Sequence, residues 1–214
     1  MGIAERKRRH KEDLRGRILD AAKKLFLKEG YEATSIRKIA AAIEFSPTTI
    51  YLYYKDKNEI VSALQQEGFK LLASKFETLS LVEDPFERLK AMGRTYMKFA
   101  NENIEFYELM FVMKHPAGYD EHFCDVEDWE EGLQAFGFLL QTVKDCQSKG
   151  YFQGHALQGL CLMIWSSMHG LCTLNLNGQL DMVMSKLEVN VSKEQSVLEH
   201  TFGYFINMLE KFKE

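Results

Sequence analysis

The sequence predicts an all-α chain: a small N-terminal unit of three helices containing a helix-turn-helix, followed by a larger C-terminal helical region. Three observations carry that prediction. Apolar residues recur at spacings of three and four along most of the chain. The 214 residues include only 3 prolines, and no run alternates apolar and polar residues as a half-buried strand would. Residues 34–57, TSIRKIAAAIEFSPTTIYLYYKDK, read as two short helices joined by a tight turn. The length admits one or two domains and a sizeable core.

The first of those two helices is expected from about Ser35 to Ala42. Ile36, Ile39, Ala40 and Ile43 form its inner face, and Thr34 or Ser35 caps it. Glu44-Phe45-Ser46 is the turn. Ser46-Pro47 then starts a second helix, with a capping hydroxyl and a proline where no N–H is needed, running to about Tyr54. Ile50 and Tyr54 face inward; Thr48, Thr49, Tyr51 and Tyr53 face out. Two threonines and two tyrosines on the outside of so short a helix suit a DNA major groove. Hydroxyls reach phosphate oxygens, and a threonine methyl packs on a thymine methyl. Arg37, Lys38, Lys55 and Lys57 flank this face with positive charge. An ordinary helical hairpin with aromatic packing is the other reading of the same residues.

Charge is divided unevenly. Residues 1–57 hold 14 Lys and Arg against 8 Asp and Glu, a surplus of +6, which leaves −10 for the rest of a chain whose net charge is −4. A basic head on an acidic body predicts that the head meets a polyanion. The first ten residues, MGIAERKRRH, are read as a basic arm, disordered without DNA or simply solvated.

With these residues in view, the segment ILDAAKKLFLKEGYEATSIRKIAAAIEFSPTTIYLYYKDKNEIV, residues 18–61, resembles the DNA-binding domain of the TetR family of one-component bacterial transcription regulators. The likeness covers roughly a fifth of the chain. It implies a DNA-binding helix-turn-helix domain over residues 1–57 and a ligand-binding (effector) and dimerisation domain over 58–214. Position by position, it implies phosphate contact for Ser35 and Arg37, with base contact left open, base-edge contact for Thr48 and Thr49, and phosphate contact for Tyr51, Tyr53 and Lys57. The partners it implies are double-stranded operator DNA, a second copy of the chain through the two C-terminal helices, and a small apolar ligand.

The remaining elements follow in order. Asp13 to Glu29 form a long first helix with Ile18, Leu19, Ala22, Leu25 and Phe26 inward, ended by Gly30. Asp56-Lys57-Asn58-Glu59 is a capping box that opens a helix from Asn58 to about Leu79. This helix is expected to link the two domains mechanically. Asp84-Pro85-Phe86-Glu87 starts another, to about Asn101. A short helix over Ile104 to Met113, an unassigned loop over Tyr119 to Val126, and a long helix over Glu127 to Lys149 come next. In the last of these, Trp129, Leu133, Phe136 and Val143 are expected inward. His155 to Leu176 reads as a buried helix, Asn177 to Val191 as a loop that can hold a short helical turn, and Ser192-Lys193-Glu194-Gln195 as the cap of a final helix reaching about Phe212.

The body is rich in soft, large side chains, which read as core or as the wall of a ligand cavity. Trp165 to Leu171 resembles the W-x-x-x-H-G-L motif of one class of TetR effector domains. Candidate ligand residues are Tyr96, Tyr107, Met110, His115, Trp165, Ser166 and His169. By residue type, the ligand is a small apolar or aromatic compound or an acyl chain. The function expected is a homodimeric repressor released from a palindromic operator by that inducer. The alternative is a DNA-bound structural or partner-binding protein without an effector.

Several classes are not favoured. No nucleophilic triad, phosphate-cradling glycine loop or metal-ligand spacing is evident, so no enzyme, cofactor or metal is expected. Cys124, Cys146, Cys161 and Cys172 form no CxxC pair and read as reduced thiols. The charged N-terminus lacks an apolar segment behind it, and the longest uncharged stretch is dotted with polar residues. No signal peptide or membrane span is expected, and the location is cytoplasmic.

Overall fold

A computed structural model describes residues 2–113, 130–187 and 196–213. Among them the elements are helical: α1 (Ile3–Glu29), α2 (Ile36–Ala42), α3 (Pro47–Tyr51), α4 (Lys57–Glu77), α5 (Pro85–Glu102), α6 (Ile104–Tyr107), α7 (Glu130–Ser148), α8 (Leu157–Leu176), α9 (Gln179–Lys186) and α10 (Val197–Glu210). A 3-10 turn, Thr78–Leu81, follows α4, and α6 continues into a π-helical turn, Glu108–Val112. The all-α expectation therefore holds for these residues.

The chain forms two compact units. The first comprises residues 1–71 and 104–132, the second 72–103 and 133–214. In the first unit, Ile18, Ala22 and Phe26 of α1 pack with Ile39, Ala40, Ile50, Tyr54, Ile60, Leu64 and Leu109 into one apolar cluster. Each fully buried aliphatic side chain there contributes about 1.5–3 kcal/mol relative to exposure. The π-helical turn shifts the bonding to Met113 N–H on Glu108 O, 2.8 Å. The buried Gln65 amide of α4 donates to the Leu109 carbonyl at 2.9 Å.

In the second unit α5, α8 and α10 pack together, with α9 against α8 and α10. Phe86 stacks on Tyr151, ring centroids 4.6 Å apart, and Arg88 of α5 pairs with Asp145 of α7. Gly93 of α5 faces the ring of Phe202 so closely that a Cβ there would lie 2.6 Å from it.

Some expectations need correcting. The N-terminal arm is not separate from the first helix: α1 begins at Ile3. Arg8 bridges Glu5 and Glu12 on one face, and the stretch holds good helix formers without an interior break. The helix over 157–176 is not buried all round. It buries Cys161, Ile164, Met168 and Cys172 but leaves Leu162, Met163 and Leu174 exposed, because its neighbours pack along one side. Leu133 is likewise exposed rather than inward. The interval after α8 contains a true helix, α9. The last helix is capped by Ser196, whose hydroxyl accepts from Glu199 N–H at 3.2 Å; the expected cap, Ser192 to Gln195, lies outside the described residues, as do Trp129, Cys124 and the 119–126 loop.

Candidate nucleic-acid interface

The interface is built from α2, the turn after it, and α3. Ser35 caps α2 by accepting from Lys38 N–H at 3.3 Å, and Ser46 caps α3 by accepting from Thr49 N–H at 3.2 Å. The turn places Glu44 at φ 61, in the left-handed region. Arg17 of α1 supports it: its guanidinium donates to the Ile43 carbonyl at 3.1 Å and lies 5.3 Å from the centre of the Phe45 ring. On the other side of α3, Ile50 and Tyr54 are fully buried. Arg15 donates to the Tyr54 hydroxyl at 3.0 Å and lies over its ring. Burial pushes that phenol above its ordinary value. These contacts fix the rotation of α3 about its own axis.

What remains outside is Thr48, Tyr51 and Leu52, the last two 56% and 74% exposed. Ser35 and Arg37 are also exposed. Thr49 and Tyr53 are half-buried, and the Thr49 hydroxyl is bonded to Ser46 Oγ at 2.9 Å. The structure thus brings the seven sequence-predicted DNA residues onto one small unit but in two conditions. Ser35, Arg37, Thr48 and Tyr51 are exposed, Ser35 while its hydroxyl caps α2, whereas Thr49, Tyr53 and Lys57 are partly engaged within the fold.

Lys57 is the most engaged of them. Its ammonium donates to Tyr31 O at 2.7 Å and Thr34 O at 2.9 Å and sits 3.8 Å from the centre of the Tyr31 ring. Desolvation lowers its pKa. The Tyr31 hydroxyl also donates to Asn58 Oδ1. Together they tie the first turn of α4 to the loop that leads into α2, where Thr34 is buried and bonded to Gly30 O at 2.8 Å. Lys38, expected as free flanking charge, is paired with Glu29 at 2.6 Å, and this pairing lowers the Glu29 pKa. Sequence reasoning missed Arg15 and Arg17 as supports. Their position beside the inward-facing Leu14 and Ile18 of α1 was the available signal.

The ligand candidates divide between the two units. In the second, the Tyr96 hydroxyl and His169 Nδ1 are 3.3 Å apart, and Trp165 stands 6.2 Å from both the His169 and Phe136 rings. Burial lowers the His169 pKa, which favours the neutral imidazole. Ser166 is exposed and donates to Met163 O at 3.1 Å, so it does not join that group. Tyr107 and Met110 are buried in the first unit, with Tyr107 edge-on to Phe111 at 5.2 Å. His115 lies outside the described residues. Cys146, Cys161 and Cys172 are free and buried; desolvation pushes them up to about 12, 11 and 12, so they are thiols. Among the described residues no group of three or more His, Cys, Asp or Glu could hold a metal ion. By length and composition alone Leu157–Leu176 could cross a membrane; in the fold it buries Cys161, Ile164, Met168 and Cys172.

Comparison with known proteins agrees with this geometry. Residues 18–64 match the family model for bacterial regulatory proteins of the tetR family, and residues 89–194 match the tetracyclin repressor-like C-terminal domain. The uncharacterized HTH-type transcriptional regulator YvkB of Bacillus subtilis is 26% identical over 137 residues, 64% of this chain and 69% of that protein. The HTH-type transcriptional activator FasR of Mycolicibacterium smegmatis is 27% identical over 102 residues, 47% of each chain, so this chain spans about half of that relative. The fatty acid degradation regulator FadR of Bacillus halodurans superposes with a TM-score of 0.69 at 19% identity, covering 91% of this chain and 93% of that one. FadR of Bacillus subtilis, in complex with stearoyl-CoA, superposes with a TM-score of 0.69 at 17% identity, covering 90% and 96%. At those identities the likeness shows the fold.

A capped helix-turn-helix within the basic segment 1–57, followed by a body that is helical among the described residues, defines a DNA-binding transcription regulator. The chain belongs to the TetR family.

Proposed function

We propose that this regulator is a homodimeric repressor that leaves a palindromic operator when an apolar inducer binds. The observation that carries the DNA half is the outward face of α3, held rotationally fixed by buried Ile50 and Tyr54 while Thr48 and Tyr51 stay exposed. Residues 1–57 bind DNA in this reading. Thr48 and Thr49 meet base edges; Ser35, Arg37, Tyr51 and Tyr53 meet phosphates. Lys57 acts at the phosphate next to α4 with whatever donor capacity its two carbonyl bonds leave.

Residues 58–214 bind the ligand and the second copy. Exposed Leu162 and Met163 of α8 and Tyr204 and Met208 of α10 are large apolar side chains in the two helices that would pair with the partner's. The inducer would lie against Tyr96, Trp165 and His169 in the second unit, with the neutral imidazole and phenol orienting it. An acyl chain is the favoured ligand class, supported by the apolar residue types and by the stearoyl-CoA bound to the Bacillus subtilis relative. Binding would change the preferred spacing of the two recognition helices through α4, lowering DNA affinity by the ligand's differential affinity for the two states. The protein acts in the cytoplasm and needs no cofactor.

Footprinting on the intergenic DNA upstream of the protein's own gene tests this. The expected result is a protected palindrome with half-sites about 34–36 Å apart, or a multiple, whose protection is lost on adding stearoyl-CoA or another long-chain acyl-CoA. Protection that no apolar ligand relieves would instead favour a DNA-bound protein without an effector.

A further inference from the structure

The apolar side chain at the end of α3 has no partner in the reading above. Leu52 is 74% exposed, against 56% for the adjacent Tyr51. Exposure alone is unremarkable, since Leu81 is more exposed still. Its place is what distinguishes Leu52. It lies four residues after Thr48, so the two share one face of the helix, and Tyr51, three residues after Thr48, is exposed beside that face. Its backbone N–H is already bonded to Thr49 O at 3.2 Å, so its exposed donor capacity is spent within the turn. The inward side is closed to it, because Ile50 and Tyr54 fill the core and Arg15 holds the Tyr54 hydroxyl.

We infer that Leu52 is a specificity-determining residue that packs on the 5-methyl group of a thymine in the major groove. Among the four base pairs, that methyl is the apolar feature the major groove presents. An isobutyl group placed there gains by burial against it and loses against the amino group of cytosine. This rests on α3 being the DNA-reading helix.

The test pairs a chemical change in DNA with one in the protein. The full chain first selects its tightest-binding duplex from a random pool. Each thymine is then replaced, in both half-sites, by deoxyuridine, which lacks only the methyl. At one thymine per half-site the unmodified protein should lose about fourfold in affinity per half-site, the worth of one buried methyl-sized group. Leu52→Ala should bind more weakly overall yet show no penalty at that position, while keeping penalties elsewhere. Leu52→Met, which keeps an apolar chain of similar length, should retain it. Circular dichroism is expected to show unchanged helicity, since the side chain is exposed. If Leu52→Ala suffers the same deoxyuridine penalty as the parent at every thymine, the inference is overturned. A selection that enriches no sequence would overturn the regulator reading itself, and is distinguishable from that result.

Discussion

Tyr51 and His169 show how differently two ring side chains serve one chain. Tyr51 is 56% exposed on the outward side of α3, where a phosphate could meet its hydroxyl. Tyr51→Phe should therefore leave the melting temperature unchanged while weakening operator binding roughly tenfold per protomer. That corresponds to about 1.5 kcal/mol for a hydrogen bond to a charged group. Unchanged binding would mean that the outward face of α3 does not reach the backbone.

His169 works from inside. Burial depresses its pKa in the folded state, so the unfolded chain binds more protons in the window between that depressed value and the ordinary 6.5. Stability due to this group is full above 6.5 and falls with pH through that window, then levels off below the folded value. Acidification from pH 7.5 to 5.5 should lower the denaturation midpoint of the parent more than that of His169→Gln, measured by urea titration at each pH. An equal loss in both would remove His169 from the account.

The elements explain which parts of the fold the sequence disclosed. Helix starts were legible at Ser35, Ser46 and Asp84, which all cap as their types predict, but not at Ser196, since the cap of the last helix was expected four residues earlier. The start of α1 was not, because a basic run reads equally as a solvated tail, and its helix depends on ion pairs among exposed side chains. Nor was the exposed face of α8, since an apolar helix in sequence does not state how many neighbours cover it. Among site residues, inward Ile50 and Tyr54 and outward Thr48 and Tyr51 followed from spacing, whereas the half-burial of Thr49 and Tyr53 and the exposure of Leu52 did not. The carbonyl bonds of Lys57 did not, because they join positions more than twenty residues apart, as do those of Arg17.

The turn between α2 and α3 carries a stability prediction of its own. Glu44 sits at φ 61, where an L-residue pays about 1–2 kcal/mol and glycine does not. After the larger backbone entropy of glycine is subtracted, Glu44→Gly should stabilise the protein by about 0.5–1 kcal/mol, seen as a raised midpoint in thermal unfolding. A lowered midpoint would show that the Glu44 side chain, not the backbone, dominates at this turn.

At the scale of the molecule, charge is the feature that joins sequence to function. A +6 head and a −10 remainder give a chain of −4 that would not attract DNA as a whole, so any binding must be local to the head. The most direct measurement is an equilibrium titration of the full chain on its own upstream intergenic DNA and on a scrambled duplex, at two salt concentrations. The account predicts tight, sequence-dependent binding whose affinity falls steeply with salt as phosphate contacts release counterions. Affinity for the upstream DNA no greater than for the scrambled duplex would contradict it.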